Sequence, residues 1–310
     1  MQLTNEWISG FVDGQGCFNI QKIKTKTSIV VLRHRFIVSI DKRSVSVLYA
    51  LKQSFKCGTV HKGKGNMMFF QVSKIAHLQT IIFPFFQKYT LKTFKSQDFR
   101  LFVESLENYV SSHQKMHIIE KHTENTKFSI DMGKNEILDY ISKNDSAKHS
   151  ETFIPAFTYN FSDGWFRGFI DAEGCFFVSL VKDYPRPQLI IGVLSKDKPL
   201  LIELQKFLKC GTLRTGKDNT EILQIVSSLN LERYIFPKLQ TKGGAVLLKT
   251  SNRLSYQKFR KIVRLVVEKK HYTIEGLEKI KILKNGLNKQ NKENNNVFTD
   301  IQNSCIPYYT

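Results

Sequence analysis

Gln15 and Glu173 occupy the same place in two copies of one motif, Trp7-Ile-Ser-Gly-Phe-Val-Asp-Gly-Gln-Gly-Cys-Phe18 and Trp165-Phe-Arg-Gly-Phe-Ile-Asp-Ala-Glu-Gly-Cys-Phe176. Gly10 and Gly14 stand four apart in the first copy, as do Gly168 and Ala172 in the second. Residues at that spacing share one face of a helix, so two helices meeting through these small residues can approach backbone to backbone. Gly16 and Gly174 come next, and each is expected to end its helix in a left-handed turn. Gln15 and Glu173 should then emerge together at two helix C-termini, where the backbone dipole is negative. A carboxylate is unfavourable there alone and favourable beside a divalent cation. The pair therefore calls for a metal, and for chemistry on an anionic substrate.

The duplication extends past the motif. Lys56-Cys-Gly-Thr59 recurs as Lys209-Cys-Gly-Thr212, Ile82-Phe-Pro84 as Ile235-Phe-Pro237, and Gln97-Asp-Phe-Arg100 as Gln257-Lys-Phe-Arg260. Landmarks in one order mark a fused pseudo-dimer. Each copy reads as a motif helix, a hairpin with alternating apolar and polar residues (Phe18 to Ile40; 175–194), a helix (44–55; 198–208) and a second hairpin (Gly58 to Val72; 211–226). Helices close each copy (74–86 and 96–110; 228–238 and 255–268). The fold class is α+β, two pseudo-symmetric α-β-β-α-β-β-α copies with helices backing each antiparallel sheet. Residues 1–110 and 161–285 are the repeats, 111–160 a part-helical linker, and 286–310 a polar tail.

Composition narrows the partner. Lysine plus arginine number 47 against 27 acids, a formal charge of +20. A compact fold carrying that excess points to a polyanion. A membrane is disfavoured, because apolar runs such as Ile81-Ile82-Phe83-Pro84-Phe85-Phe86 fall far short of a span, and no secretory signal is read. Five cysteines, with no C-x-x-C pair, argue against a zinc site or disulfide framework. Abundant lysine, asparagine, isoleucine and phenylalanine resemble the bias of AT-rich organelle genomes.

With both motifs in view, Ile8–Gly16 and Phe166–Gly174 resemble the paired signature helices of LAGLIDADG homing endonucleases of the monomeric two-motif type, over residues 4–110 and 161–285. The resemblance implies motif helices at the domain interface and sheets forming a saddle along the DNA major groove. It implies intron-promoting, metal-dependent cleavage of duplex DNA at a long, near-asymmetric site. Mg²⁺, for which Mn²⁺ can substitute, would sit at Gln15 and Glu173 with the carbonyls of Gly14 and Ala172. Gln15 departs from the family pattern, which has an acid at both places, and this implies intact, strand-biased or lost cutting. The family's supporting basic residue would be Lys92 or Lys95 in the first copy and Lys249 or Arg253 in the second. Gln240 to Val246 reads as an insertion that loosens this register.

DNA contacts are expected from the polar face of the strands: Asn19, Gln21, Arg33, Arg35, His61 and Gln71 in copy one, and Ser179, Arg186, Gln188, Arg214 and Gln224 in copy two. Arginine and glutamine there can read base edges, while Lys62, Lys64 and Lys217 in turns suit phosphates. Blander readings apply elsewhere. Asp13 and Asp171 are expected to bond backbone, Cys17 and Cys175 to be small neighbours of the site, and His113, His117 and His122 to be solvated. Beside the endonuclease stand two alternatives on the same scaffold, an RNA-binding maturase acting on its own intron and a non-cutting DNA regulator. An organellar location is expected, mitochondrion first and chloroplast second.

Overall fold

The structure, a computed structural model, describes residues 1–24, 30–122, 159–216 and 219–288. Lys217, Cys305, most of the linker and nearly all of the tail lie outside these residues, as do the side chains of His113, His117 and His122.

Each copy opens on its motif helix, Asn5–Gln15 and Asp163–Glu173. Thr4 and Ser162 start these helices by accepting from the N–H of Trp7 and Trp165, which satisfies an otherwise orphaned donor. Each helix passes into a strand with no intervening loop, β1 (Gly16–Lys24) and β5 (Gly174–Val181). Gly16 and Gly174 are not left-handed, contrary to expectation; their φ values are −84° and −75°. Steric contact explains the glycines instead. A Cβ on Gly16 would stand 2.4 Å from Val12 Cγ1, and one on Gly174 2.7 Å from the Ile170 carbonyl oxygen.

The strands build two four-stranded antiparallel sheets of identical topology. β1, β2 (Val30–Asp41), β4 (Met67–Val72) and β3 (Thr59–Lys62) lie in the order β1-β2-β4-β3. β5, β6 (Tyr184–Leu194), β8 (Thr220–Ile225) and β7 (Thr212–Thr215) repeat it. One face of each sheet is sealed by helices, Val45–Phe55 and Lys95–His122 in the first copy and Lys198–Leu208 and Asn252–Val267 in the second. The first core is largely aromatic, with Phe18, Phe36, Phe86, Phe99 and Phe102 in stacked, edge and tilted contacts. The segments carrying the Phe-Pro pairs include π-helical turns at Leu78–Ile82 and Leu231–Ile235. Beyond the last expected helix, a further helix, Ile274–Asn288, packs on the second copy and buries Ile280 and Leu287.

One expected alignment shifts. Phe18 packs on Phe99 and Phe102, and its counterpart Phe176 packs on Tyr256 and Phe259. Phe99 therefore corresponds to Tyr256, and the pairing of Gln97–Arg100 with Gln257–Arg260 is three residues out. A three-residue slip keeps the same face of a helix inward, which is why sequence similarity alone could not expose it. The excursion at Gln240–Val246 is a small hairpin closed by a bridge between those two residues.

His34 on β2 points inward and is 3% exposed, with Nε2 2.9 Å from Ser105 Oγ and its ring against Phe102. Burial depresses its pKa to about 4. The unfolded chain binds a proton near pH 6.5 that the folded chain refuses, so stability is full above pH 6.5 and is lost as pH falls toward 4. At pH 5 the loss amounts to about 2 kcal/mol. Urea midpoints at pH 8 and pH 5 should differ accordingly, and His34→Gln should flatten that dependence. An unchanged slope in the variant would assign it to other groups.

Candidate active site at the motif-helix interface

The two motif helices cross at closest approach through their glycines. A Cβ on Gly10 would fall 2.0 Å from the Trp165 carbonyl oxygen, and one on Gly168 would fall 2.0 Å from that of Trp7. The glycine face is thus an obligate backbone contact, and it is reciprocal.

Two buried carboxylates lock this crossing. Asp13 accepts from Trp165 Nε1 of the other copy at 2.7 Å, and Asp171 accepts from Trp7 Nε1 at 3.0 Å. Within its own copy Asp13 also takes the N–H groups of Lys92 and Thr93 and the Thr93 hydroxyl. Asp171 takes the N–H groups of Lys249 and Thr250 and the Thr250 hydroxyl. Burial raises both pKa values, that of Asp171 to about 6, while the donated hydrogen bonds oppose it. Both aspartates therefore bind backbone, as expected of them. They also tie each interface helix to the segment that carries the basic residues, a link not foreseen from sequence.

At the C-terminal end, Gln15 and Glu173 each reach across to the other helix. Gln15 Nε2 donates to the Ala172 carbonyl at 3.2 Å. Glu173 Oε1 lies against Gly14, 2.9 Å from where a Cβ there would stand. Burial raises the Glu173 pKa to about 7, with Lys95 pulling it down and Asp197 pushing it up. Lys95 Nζ donates to the Gly14 carbonyl at 2.9 Å and to the Val12 carbonyl at 3.2 Å.

The shared anchoring to Asp13 and Asp171 fixes the loose register. Lys92-Thr93 superposes on Lys249-Thr250, so the counterpart of Lys95 is Asn252, while Lys249 and Arg253 correspond to Lys92 and Ser96. Asn252 Nδ2 donates to the carbonyls of Ile170, Asp171 and Gly174. Of the four basic candidates, Lys95 is the one whose side chain contacts the motif-helix end. Lys92 is half-buried, its pKa lowered by burial and partly restored by Asp13. Lys249 is half-buried and Arg253 exposed. The signal that would have found Asn252 is the shared Leu-Lys-Thr at residues 91–93 and 248–250.

An all-oxygen donor set comprising one carboxylate, one amide carbonyl and the carbonyls of Gly14 and Ala172 suits a hard divalent cation. Among the described residues no group of three His, Cys, Asp or Glu side chains could hold a metal, so a zinc-type cage is not the arrangement found. No disulfide joins the four described cysteines.

The uncovered sheet faces carry the expected polar residues. Asn19 pairs with Arg35 and Gln21 with Arg33 across β1 and β2, and Arg35 donates to Asn19 and Gln21 at 2.9 and 3.0 Å. Gln71 and His61 continue the face onto β4 and β3. In the second sheet Ser179 pairs with Arg186, Gln188 donates toward Ser179 at 3.5 Å, and Gln224 donates to Gln188. Arg214 lies on β7, and Lys62 and Lys64 flank an exposed turn. Among the described residues no carboxylate pairs with Arg33, Arg35, Arg186 or Arg214. Burial and the neighbouring Arg33 push Arg35 below the usual arginine range. Arg35 is thus held by neutral amides, and among the described residues none of the four arginines has an acidic partner.

Fold and site together define a fused pseudo-dimer with two polar-faced sheets flanking an oxygen-lined helix junction. The sequence model of the LAGLIDADG endonuclease family matches residues 8–106 and 166–263, and the chain belongs to that family. A probable intron-encoded endonuclease 2 of Neurospora crassa is 26% identical over 302 residues, spanning 92% of this chain and 65% of that protein. Probable intron-encoded endonuclease Cox1-I1b of Schizosaccharomyces pombe is 26% identical over 207 residues, 66% of this chain and 49% of the relative. The chain thus spans about half to two-thirds of these relatives' lengths. Among solved structures, I-LtrWI bound to target DNA matches with TM-score 0.75 at 26% identity, covering 91% of this chain and 96% of that one. I-SmaMI bound to an uncleaved DNA target in the presence of calcium ions matches with TM-score 0.74 at 23% identity, covering 93% and 99%.

Proposed function

We propose that the chain is a monomeric, divalent-cation-dependent endonuclease that cuts double-stranded DNA at a long, near-asymmetric site and thereby promotes the movement of its intron. The observation that carries this reading is the junction itself. Glu173 and Gln15 lie side by side at paired helix ends, between two sheets whose arginines have no acidic partners among the described residues. Glu173, the Gln15 amide and the carbonyls of Gly14 and Ala172 would hold Mg²⁺, or Mn²⁺ in its place. Such an ion, when bound, polarises a phosphate and acidifies water. Lys95, fixed on the Gly14 carbonyl, presents positive charge where negative charge builds on a phosphate oxygen. Asp13 positions Lys95 by holding the chain just before it. Intron-encoded relatives and the AT-type composition support an organellar setting, with the mitochondrion ahead of the chloroplast.

Hydrolysis consumes one water per strand. A new P–O bond forms as the ester P–O bond breaks, and the water's proton ends on the departing oxygen, leaving a phosphate end and a hydroxyl end. Arg33, Arg35, Arg186, Arg214 and the glutamines among them would orient the duplex.

The test uses a target recovered from a random duplex pool by binding in Ca²⁺, then placed in a supercoiled plasmid. Mg²⁺ or Mn²⁺ should convert this plasmid to nicked or linear form and leave a plasmid lacking the target intact. Persistently supercoiled plasmid, together with tight binding of the intron RNA, would replace this reading with the maturase. A second expectation concerns specificity. Arg35→Ala should weaken target binding by about 1–3 kcal/mol and relax discrimination at one base pair. Equal loss on every duplex tested would instead make Arg35 a phosphate contact.

A further inference from the structure

The pseudo-twofold axis between the motif helices relates each group at one side of the junction to a group at the other. With Lys95 matched by Asn252, the two sides differ in kind. Glu173 lies against Gly14, whose carbonyl is held by Lys95. Asp197 accepts from the Phe94 N–H at 2.5 Å, next to Lys95, and is one of the charges acting on Glu173. Asp98, three residues beyond Lys95, interacts electrostatically with Lys95 and Lys196. This side is assembled from both copies and is ionic throughout.

Across the axis, Gln15 stands for Glu173 and bonds the Ala172 carbonyl with its amide. Asn252 stands for Lys95 and spends its amide on three backbone carbonyls. Ser44 stands for Asp197, and the pairing is secured by an equivalent bond, since Ser44 Oγ accepts from the Ser251 N–H at 2.8 Å as Asp197 does from Phe94. Ser255 stands for Asp98 in the same register. All four positions keep a polar side chain of reduced size or charge, and all four lose their charge. Lys92 and Lys249 are alike and do not distinguish the sides. Arg43, the counterpart of Lys196, is held by Asp41 at 2.8 Å.

Resting on the endonuclease reading, we infer that the junction contains one competent half-site and one neutral half-site, so that the chain cuts the strand lying against Glu173 and Lys95 far faster than the other. The neutral half-site still shapes the junction. Gln15 and Asn252 keep the backbone carbonyls bonded, so the helix ends stay in place without an ion pair. It offers a divalent cation no formal negative charge, and it offers the phosphate no cation from the Lys95 position. One charge-stabilising group is worth about 10²–10³ in rate at such sites, and here two are missing on the same side.

The decisive measurement is nicking of a duplex target with each strand separately labelled. The parent chain in Mg²⁺ should cut one strand at least about a hundredfold faster than the other. Lys95→Asn should slow the fast strand. Gln15→Glu with Asn252→Lys should accelerate the slow strand tenfold or more. A readout independent of cutting is calorimetric titration of Ca²⁺ into the protein–DNA complex, which should show one tight site in the parent and a second in the Gln15→Glu, Asn252→Lys variant. Both strands cut at rates within threefold, or two equal Ca²⁺ sites in the parent, would overturn the inference while leaving the endonuclease reading standing. No cutting of either strand in Mg²⁺ or Mn²⁺ would overturn both.

Discussion

Glu173→Gln should reduce DNA cutting at least about a hundredfold and leave target affinity within about threefold. The substitution preserves shape and hydrogen-bonding reach, so it removes the carboxylate charge and little else. That charge is costly in place, because packing around Glu173 lifts its pKa to about 7. A neutral side chain avoids this cost, and the variant should melt at the parent's temperature or slightly above. In the proposed reading affinity resides elsewhere, on the sheet faces with Arg33, Arg35, Arg186 and Arg214. The informative outcome is therefore a dissociation between three readouts: cleavage lost, binding kept, stability kept. Cutting at the parent's rate would show that the cation, and with it the chemistry, is not organised by Glu173.

Much of this arrangement could be read from the chain before its structure. The doubled motif, the four small interface residues and the alternation along β1 and β2 are period-based signals. Period survives in sequence because a buried face must recur at a fixed spacing. The junction of Gln15 with Glu173 follows from the same logic, since the last residue of each packed helix must emerge beside its counterpart. What could not be read was of another kind. The swapped Trp7–Asp171 and Trp165–Asp13 bonds join residues from opposite copies, and nothing local in either copy announces its partner. The left-handed turn expected at Gly16 and Gly174 was wrong because a glycine can answer to two demands. Here contact with Val12 and Ile170, rather than a positive φ, excludes a side chain.

The most instructive miss is Asn252. Similarity along the long helices pairs Gln97 with Gln257, and while the register stayed loose a basic residue near the strand-to-helix junction, such as Arg253, looked suited to support the site. The hydrogen bonds of Asp13 and Asp171 impose the other register, in which the hairpin at Gln240–Val246 absorbs the extra residues. A basic residue is then matched by an amide. Charge asymmetry between the half-sites is consequently a property of the register, hidden while the register is loose and evident once two aspartates fix it. It also explains how the fold tolerates the asymmetry. The structural duties of the junction, namely capping carbonyls and bracing the crossing, are met by amides and hydroxyls as well as by ions, so neutral substitutions leave the architecture standing.

The crossing itself admits no such tolerance, and Gly10→Ala, like its reciprocal Gly168→Ala, should be severely damaging for a change of one methyl. The added Cβ would stand 2.0 Å from the Trp165 carbonyl oxygen and 3.0 Å from the Phe169 nitrogen, both backbone atoms that cannot rotate aside. The helices would have to move apart by more than an ångström. That displacement stretches the Trp7–Asp171 and Trp165–Asp13 bonds, now 3.0 and 2.7 Å, in a dry interior where an unpaired carboxylate is costly. Overpacking and lost buried hydrogen bonds together should cost about 3–5 kcal/mol, a large part of the margin of an ordinary domain. Gly192→Ala is the matched control, because a Cβ there meets no atom within 4 Å. Thermal melting should place Gly192→Ala near the parent and Gly10→Ala well below it, with cutting lost as the Lys95–Gly14 contact separates. Equal melting of the two variants would mean that the copies are not held together through their glycine faces, and a site built between the two helix ends could not then exist as described.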